Sequence, residues 1–408
     1  MKILWSVNTL MPQVAKRIGV VSGHSISWVD AMSKLLAKNE EVVLAIASIA
    51  KVKTLQAYDI DNVRYYIIPN NKIEESWDEL LCQFAPDVIH LYGTERSHNI
   101  PLIKKNPSAP IIISLQGILK GYEKCYYGGI DVSTIFKNIT LRDIARGTIF
   151  KERKRFQKGA EREEWMLRHV KYVEGRSTWD RVYSETINPD LKYFHCPRLI
   201  RAPFYEAKWS LDHVERHTIF IHQGNYPIKG LHFLFEAMPT LMKKYPDLRL
   251  YIAGEDFFNK QTIKEKLLIN GYTKYLQGLY KKYSLEKYIC FLGRMTAEEV
   301  AERLSKVHVM VIPSVIENAP NSLAEAMLVG TPSVASYVGG NPEMLNDGEC
   351  GMLYCYNEPL MMADCIDKLF SSEELSIQFS KKAREVARVR HNPEYLEKTL
   401  LSIYRTIV

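Results

Sequence analysis

The sequence has 408 residues, more than a single hydrophobic core usually serves, so we expect two domains. Its composition, 46% hydrophobic and 25% charged, is typical of a soluble globular protein, and the formal net charge of +7 permits anionic partners without identifying one. The seven cysteines are scattered, odd in number and without a CxxC pair, which argues against a disulfide framework and against a zinc cage.

The beginning of the chain predicts a first strand rather than a secretion signal, because Ser6, Asn8 and Thr9 interrupt its apolar run. Apolar runs such as residues 42–50 are too short to span a membrane. Together with the scattered cysteines, these features favour a reducing, cytoplasmic setting.

Strand-like and helix-like segments alternate along the chain. In the first half the apolar pattern predicts strands at residues 2–7, 41–47, 63–69, 87–92 and 110–115, and helices at 26–39 and 77–84. Residues 196–217, rich in polar residues and proline, interrupt the pattern. The pattern then restarts, with strands at 218–224, 248–254, 288–293, 307–314 and 332–336. Helices are predicted at 231–245, 296–306, 323–330, 359–370 and 376–388, and a further helical stretch ends at about residue 285.

This alternation predicts an α/β protein with parallel sheets, and its repetition predicts two doubly wound, Rossmann-like domains. We expect an N-terminal domain at residues 1–203, a C-terminal domain at 204–388, and a C-terminal helix at 389–408 that packs back toward the first domain. Ligands of open α/β sheets bind at the carboxyl ends of strands, so the expected site is a central cleft that the two domains face.

Two glutamates, Glu317 and Glu325, stand in an almost uncharged stretch at residues 314–340. They fall between a predicted buried strand and a predicted helix, so Glu317 is expected on the connecting loop and Glu325 in the first turns of the helix. Asn321 or Ser322 can cap that helix.

These glutamates flank the N-terminus of the predicted helix. A helix N-terminus exposes backbone N–H groups and a partial positive charge, and therefore attracts phosphate. Carboxylates on either side suit hydroxyl groups on either side of a phosphate, which is the layout of a sugar nucleotide. The alternative is that Glu317 is a solvated loop residue and Glu325 an ordinary acidic residue of a first turn.

Further motifs carry a resemblance to a known family. Glu317, seven intervening residues and Glu325, followed by "EAMLVGTPSVASYVGGNPEML" and "NDGECGMLY", resemble the retaining glycosyltransferases of family 4, which have the GT-B fold. "PDVIHLYG" at residues 86–93 and "GNYPIKGLHFLFEAMPTLMKKYPDLRLYIAGE" at 224–255 are similar to other blocks of that family. The resemblance extends over nearly the whole chain, and it implies that the domain at 1–203 binds the acceptor and the domain at 204–388 binds the nucleotide sugar.

The resemblance implies roles for the two glutamates and for a lysine. Glu317 would contact the donor sugar next to the anomeric carbon, and Glu325 would bind the ribose hydroxyls, a task that a carboxylate accepting two hydroxyls suits. Lys229 would neutralise the donor diphosphate. With these roles, Glu317 and Lys229 are the expected catalytic residues.

The resemblance also implies residues that contact the phosphates through the backbone. Gly23 would bring a loop close to them. Backbone N–H groups would come from residues 318–323, with the binding set Asn318, Asn321, Ser322 and Leu323.

The sequence departs from the family pattern at two positions. Asn225 stands where most relatives have an arginine, and the loop that contains it is one residue shorter. The site therefore lacks one positively charged side chain that would contact the diphosphate, unless Arg294 or Arg201 supplies it. Gln116 stands where a donor-contacting histidine is often found; glutamine can donate a hydrogen bond but does not titrate in the physiological range. Because of these changes, the sequence does not identify the donor sugar. An impaired or regulatory version of the enzyme also stays an alternative.

Two other kinds of site are disfavoured. Asp59 and Asp61 form a DxD sequence, but their surroundings predict a polar turn entering a strand rather than a metal site. A dinucleotide oxidoreductase is disfavoured because no GxGxxG follows a strand.

The most basic segment, from Lys151 to Tyr172, predicts a helix with Phe156, Trp165 and Met166 among its charges. It is either a solvated helix of mixed charge or an interfacial surface that contacts anionic lipid or a lipid-diphosphate acceptor, at the inner face of the cell membrane. Nucleic acid is not expected as a partner, because no recognition fold or groove pattern supports it.

The sequence therefore predicts a metal-independent, retaining hexosyltransferase without a cofactor, whose co-substrate is a nucleotide-diphosphate sugar, UDP-sugar being favoured over GDP-sugar. The expected acceptor is a hydroxyl of a glycan or lipid-linked glycan, as in polysaccharide biosynthesis. Two alternatives stay open: a nucleotide-sugar epimerase of similar fold, and a catalytically silent subunit that binds nucleotide sugar.

Overall fold

The computed structural model of the protein describes residues 1–20, 27–259, 262, 265 and 267–408. The chain divides into two compact units. The first comprises residues 1–119, 158–201 and 391–408, and the second comprises residues 120–157 and 202–390.

The strands fall into two sheets. In chain order they are β1 (Lys2–Val7), β2 (Val43–Ala50), β3 (Gln56–Ile60), β4 (Val63–Pro69), β5 (Val88–Tyr92), β6 (Ile111–Ser114), β7 (Tyr172–Gly175), β8 (Lys192–His195), β9 (Glu215–Ile221), β10 (Arg249–Ile252), β11 (Ile289–Phe291), β12 (Val307–Ile312), β13 (Ser333–Ser336) and β14 (Met352–Tyr354). The first unit holds the order β3-β4-β2-β1-β5-β6-β7-β8, and the second holds β11-β10-β9-β12-β13-β14.

Helices connect the strands. In chain order they are α1 (Pro12–Arg17), α2 (Ser27–Leu36), α3 (Ile73–Phe84), α4 (Ile100–Lys105), α5 (Leu119–Lys124), α6 (Val132–Lys137), α7 (Leu141–Arg146), α8 (Ile149–Arg168), α9 (Thr178–Ile187), α10 (Pro203–Glu206), α11 (Leu231–Lys244), α12 (Gly271–Lys282), α13 (Ala297–Lys306), α14 (Asn321–Val329), α15 (Asn341–Met344), α16 (Pro359–Ser371), α17 (Glu373–Arg390) and α18 (Pro393–Ile407).

Each unit is an α/β, Rossmann-like structure with a parallel sheet, so the predicted fold class is confirmed. The exception to parallel pairing is the edge strand β3, which pairs antiparallel with β4. A tight turn joins these two strands. In this turn Asp61 and Asn62 have φ values of 51° and 62°, the left-handed conformation that two-residue hairpin turns need. The sequence pattern did not predict β3, because its residues alternate without a strong apolar face.

The first unit has a continuous core beneath its sheet. Trp77 of α3, Leu102 of α4 and Met166 of α8 are buried against strand residues there. The hydroxyl of Tyr404, in α18, accepts a hydrogen bond from the indole of Trp5 at 2.9 Å and lies 2.7 Å from Nδ1 of His90. These buried polar contacts fix the C-terminal helix to strands β1 and β5.

The observed division differs from the expected domain 1–203 in one segment. Residues 120–157 cluster with the second unit. The physical reason is a set of contacts to that unit: the carbonyl of Gly128 lies 2.9 Å from Nε2 of His232, and the hydroxyl of Thr140 donates to the carbonyl of Ile269 at 2.8 Å. Residues 391–408 cluster with the first unit.

Candidate functional site

The second sheet reverses its strand order between β9 and β12. From β9 the sheet continues to β10 and β11 on one side, and from β12 it continues to β13 and β14 on the other. Such a switch point opens a crevice at the carboxyl ends of the two central strands, where α/β proteins bind ligands. The loop after β9 carries Lys229, and the loop after β12 carries Glu317.

Lys229 and Glu317 form an ion pair in this crevice. The lysine ammonium donates to Oε1 of the glutamate, which also accepts a hydrogen bond from the hydroxyl of Ser314 at 2.7 Å. The Lys229 side chain is 20% exposed and that of Glu317 is 7% exposed. Burial alone would lower the pKa of Lys229, but the negative charge of Glu317 outweighs it and the pKa is raised. Lys229 is therefore a cation at neutral pH.

The turn that holds Lys229 is fixed against the neighbouring loop. Residues Pro227–Lys229 form one turn of 3-10 helix, and Gly230 follows with φ 68°. A Cβ at Gly230 would lie 1.8 Å from the carbonyl oxygen of Pro313, so only glycine fits. The carbonyl of Ile228 accepts a hydrogen bond from the N–H of Val315 at 2.9 Å, which ties the two loops together.

The loop that holds Glu317 is fixed by the segment after β13. Gly339 has φ 50°, and a Cβ there would lie 1.7 Å from the carbonyl oxygen of Glu317. That carbonyl accepts a hydrogen bond from the N–H of Gly340 at 3.1 Å. The hydroxyl of Ser336 donates to the carbonyl of Ser314 at 2.5 Å. The paired glycines of "YVGG" therefore let the backbone approach Glu317 closely.

Helix α14 begins beside the ion pair, but not with the expected cap. Asn321 is its first residue, Pro320 occupies the capping position, and no side chain caps the helix. The prediction that Asn321 or Ser322 caps it is wrong, because both already lie inside the first turn. The N–H of Leu323 donates to the carbonyl of Pro320 at 3.0 Å, and its role in phosphate binding stays a prediction.

The crevice has a volume of about 50 Å³, and its polar lining includes His222, Gln223, Lys229, Ser314, Glu317 and Ser322. Ser322 thus stands next to the ion pair, as the proposed phosphate contacts require. Asn318 is buried on the same loop as Glu317, and Asn321 is half-buried at the start of α14.

Glu325 is buried on α14, and its Oε2 atom lies 4.0 Å from Nε2 of His222, at the carboxyl end of β9. The sequence analysis missed His222. Its only signal was its position directly after a strand, which does not distinguish a site residue from an ordinary loop residue. The structure brings Lys229, Glu317, Glu325 and His222 to one edge of the sheet.

The remaining predicted donor residues lie elsewhere or carry other contacts. Asn225 is exposed on the loop that leads to Lys229. Arg294 forms a largely exposed ion pair with Glu255 at 3.0 Å, so its charge is already balanced and it does not line the crevice. Gln116 and Arg201 belong to the first unit, where the Gln116 carbonyl accepts a hydrogen bond from Arg176 at 2.6 Å. Gly23 lies outside the described residues.

The DxD sequence belongs to the edge hairpin of the first unit. Asp59 is exposed in β3, with Arg64 3.8 Å away, and Asp61 occupies the turn. Within the described ranges, no cluster of three or more His, Cys, Asp or Glu side chains has the spacing to hold a metal ion. All seven cysteines are described and are free thiols.

The basic segment from Lys151 to Tyr172 is helical to Arg168, but several of its residues face inward. Met166 is fully buried. Glu163 is also buried, and it accepts hydrogen bonds from the Thr94 hydroxyl at 2.5 Å and the Leu119 N–H at 2.7 Å. Because Met166 and Glu163 are buried, they do not belong to the surface that was expected to contact lipid. None of the helices in the described part of the chain combines the length and apolarity needed to cross a membrane.

Comparisons with known proteins agree with this architecture. Residues 204–386 match the family model "Glycosyl transferases group 1". Spore coat protein SA of Bacillus subtilis (strain 168) is 24% identical over 414 residues, covering 99% of each chain. A second relative, putative glycosyltransferase YtcC of Bacillus subtilis (strain 168), is 23% identical over 100% of this chain and 93% of that one. The family match and this relative support glycosyl transfer as the chemistry.

Two solved structures resemble the whole chain. Sucrose-phosphate synthase from Thermosynechococcus elongatus has a TM-score of 0.72 at 16% identity, over 100% of this chain and 98% of that one. Anabaena HepE in complex with UDP has a TM-score of 0.68 at 14% identity, over 98% and 99%. The chain therefore has the GT-B fold, and its residues 204–386 match the glycosyl transferases group 1 domain.

Proposed function

We propose that the protein is a metal-independent, retaining glycosyltransferase that moves a sugar from a nucleotide-diphosphate donor to a hydroxyl of a glycan or lipid-linked glycan. One observation carries the proposal. A partly buried lysine cation, Lys229, and a buried carboxylate, Glu317, meet at the switch point of the second sheet, next to the first turn of α14. Cation, carboxylate and helix N-terminus together suit a phosphate that bears a sugar.

In this proposal Lys229 and the first turn of α14 bind the donor diphosphate. An ammonium has three N–H donors, so Lys229 can keep its bond to Glu317 and bind phosphate oxygens with the others. The helix N-terminus adds backbone N–H groups and a partial positive charge. Both stabilise the negative charge that develops on the leaving diphosphate, which is the role usually given to a metal ion.

The two glutamates would bind the two sugars of the donor. Glu317, held by Lys229 and Ser314, is proposed to lie next to the anomeric carbon. Glu325 would accept hydrogen bonds from the ribose hydroxyls, and His222, 4.0 Å away, would orient it. The structure of HepE contains UDP, which supports UDP as the nucleotide in a protein of the same fold.

The proposed reaction keeps the anomeric configuration. The bond between the anomeric carbon and the diphosphate oxygen breaks, and a bond to the acceptor oxygen forms on the same face. The acceptor proton passes to the departing phosphate, so no dedicated general base is needed.

Incubation with a panel of UDP-, GDP- and ADP-sugars, with and without glycan acceptors, tests the proposal. A transferase releases nucleotide diphosphate and yields a product whose anomeric configuration, measured by NMR, equals that of the donor. Epimerised donor without acceptor would identify the epimerase alternative. Binding of UDP without any turnover would identify the silent subunit, and an inverted product would overturn retention.

A further inference from the structure

A second cavity of about 100 Å³ lies entirely within the second unit. It is enclosed by residues of the 120–157 segment, by the loop after β9 and by the start of α12. We call it the tyrosine cavity, after Tyr126, Tyr226, Tyr272 and Tyr275 in its wall.

The parts of the chain that surround the cavity contact one another closely. A Cβ at Gly128, whose φ is +64°, would lie 2.4 Å from the carbonyl oxygen of Pro227, so the segment lies directly on the loop. His232 links the segment to α12: Nε2 donates to the carbonyl of Gly128 at 2.9 Å, and Nδ1 accepts from the hydroxyl of Tyr272 at 3.1 Å. Burial lowers the pKa of His232 to about 4, which keeps it neutral as this arrangement requires.

The polar groups of the wall are mostly engaged already. The hydroxyl of Tyr275 bonds to Glu236 at 3.3 Å, and that of Tyr272 bonds to His232, so these two tyrosines offer the cavity their ring carbons. Asp143 is engaged in capping α7, and Asn270 in capping α12.

Two polar side chains remain suited to a ligand. Glu152, half-buried on α8, has one long contact, 3.4 Å, with the hydroxyl of Tyr126. Asn225 is exposed on the loop after β9. The wall therefore combines tyrosine rings and isoleucine side chains with the Glu152 carboxylate and the Asn225 amide, beside polar residues that already have partners, such as Asp143, Arg142 and Asn270.

This chemistry distinguishes between classes of ligand. A hydrocarbon chain would bury the Glu152 carboxylate without a partner, which is costly. A phosphate would meet the charges of Glu152 and Asp143, while Arg142, 3.4 Å from Asp143, is already paired. A neutral pyranose fits: its C–H face packs on aromatic rings, and its hydroxyls donate to a carboxylate and an amide oxygen.

The cavity and the crevice share one turn of the chain. Tyr226 and Ile228 line the cavity, whereas the next residue, Lys229, lines the crevice. The Lys229 ammonium lies 5.9 Å from the centre of the Tyr226 ring. We propose that the tyrosine cavity is a glycan subsite, which binds a neutral pyranose unit of the acceptor next to the crevice. The assignment of that sugar to the acceptor rests on the proposed function.

The test is binding of four neutral disaccharides, cellobiose, lactose, maltose and chitobiose, to the full chain by saturation-transfer NMR, with UDP binding measured in parallel. Ile139→Trp fills the cavity, and its matched control Ile144→Trp changes an isoleucine that is 72% exposed and outside it. We expect at least one disaccharide to bind, at least tenfold more weakly to Ile139→Trp, and within twofold of wild type to Ile144→Trp. Glu152→Gln, which preserves shape, should weaken binding severalfold.

Failure of the subsite and failure of the proposed function give different results. If none of the disaccharides binds, or if Ile139→Trp binds them as wild type does, the subsite is overturned even where UDP binding and donor turnover are intact. Binding of farnesol in place of a sugar, abolished by Ile139→Trp, would overturn it in favour of a lipid. Disaccharide binding without UDP binding would leave the subsite standing and contradict the proposed function.

Discussion

The ammonium of Lys229 donates a hydrogen bond to the carboxylate of Glu317, a residue 88 positions further along the chain. The pair joins the loops that follow β9 and β12, so the strand order of the sheet, rather than local sequence, brings the two charges together. Because each charge offsets the other, their separate contributions to binding and to turnover can be measured by removing one at a time.

Loss of the lysine should impair catalysis strongly. We expect Lys229→Ala to lower kcat/KM at least a hundredfold, because hydrogen bonds to charged groups contribute about 1.5–3 kcal/mol each and, among the described residues, no other lysine and no arginine lines the crevice. Lys229→Arg should recover part of the activity, since it keeps the charge and changes the shape. Lys244→Ala, which removes an exposed lysine paired with Asp367, is the control. Wild-type kinetics of Lys229→Ala would show that the phosphates bind elsewhere.

Neutralising Glu317 should separate binding from turnover. Glu317→Gln removes a negative charge beside Lys229, so the affinity for UDP, measured by calorimetry, should be unchanged or higher. Turnover should fall by about two orders of magnitude, on the order of 3 kcal/mol of transition-state stabilisation. Glu349→Gln, at an exposed position of the same unit, should change neither quantity. Normal turnover of Glu317→Gln would remove this residue from the proposed mechanism.

Glu325 should act on the nucleotide rather than on the chemical step. We expect Glu325→Ala to weaken UDP binding about tenfold or more, because it removes a buried carboxylate proposed to bind both ribose hydroxyls. 2′-Deoxy-UDP should lose affinity for the wild type and much less for the variant. Equal losses of affinity in both proteins would place the ribose away from Glu325.

Much of this site could be predicted from the sequence because its parts are local. The run 307–312 is apolar and β-branched, and α14 ends at Gly330 as expected. That placed Glu317 on a loop and Glu325 on a helix. Two features depend on strands far apart in the chain and had no local signal: the ion pair of Lys229 with Glu317, and the position of His222 near Glu325.

The segment 120–157 was harder to predict for a different reason. Its helices α5, α6 and α7 are short, each six residues long, and their packing depends on contacts with distant residues such as His232 and Ile269. Sequence position placed the segment with the first half of the chain, whereas its contacts place it in the second unit. A cavity between such segments leaves no periodic pattern in the sequence.

Chelation should leave activity intact. Lys229 and the start of α14 are proposed to do the work of a metal ion, so turnover in EDTA should equal turnover in added manganese or magnesium. Asp59→Ala should have little effect on kinetics, because Asp59 is an exposed residue of the edge strand β3. Activity lost in EDTA and restored by manganese would contradict the proposed mechanism and return attention to the Asp59–Asp61 pair.

Buried neutral histidines should make the protein less stable in mild acid. Burial lowers the pKa values of His98, His232 and His308 to about 4, against an ordinary value of 6.5. Between pH 6.5 and 4 the unfolded chain therefore binds more protons than the folded one, and stability is lost as the pH falls through this window. The full effect is on the order of 3 kcal/mol for each histidine.

The contribution of His308 can be isolated by calorimetry. Its Nδ1 accepts a hydrogen bond from the N–H of His217 at 3.3 Å, and an asparagine at this position can accept the same bond without becoming charged. We expect Tm to fall between pH 7.5 and 5.0 in the wild type, and to fall less in His308→Asn. His213→Asn, at an exposed histidine, should keep the wild-type slope. The same loss of Tm in His308→Asn as in the wild type would show that His308 does not take up its proton on unfolding.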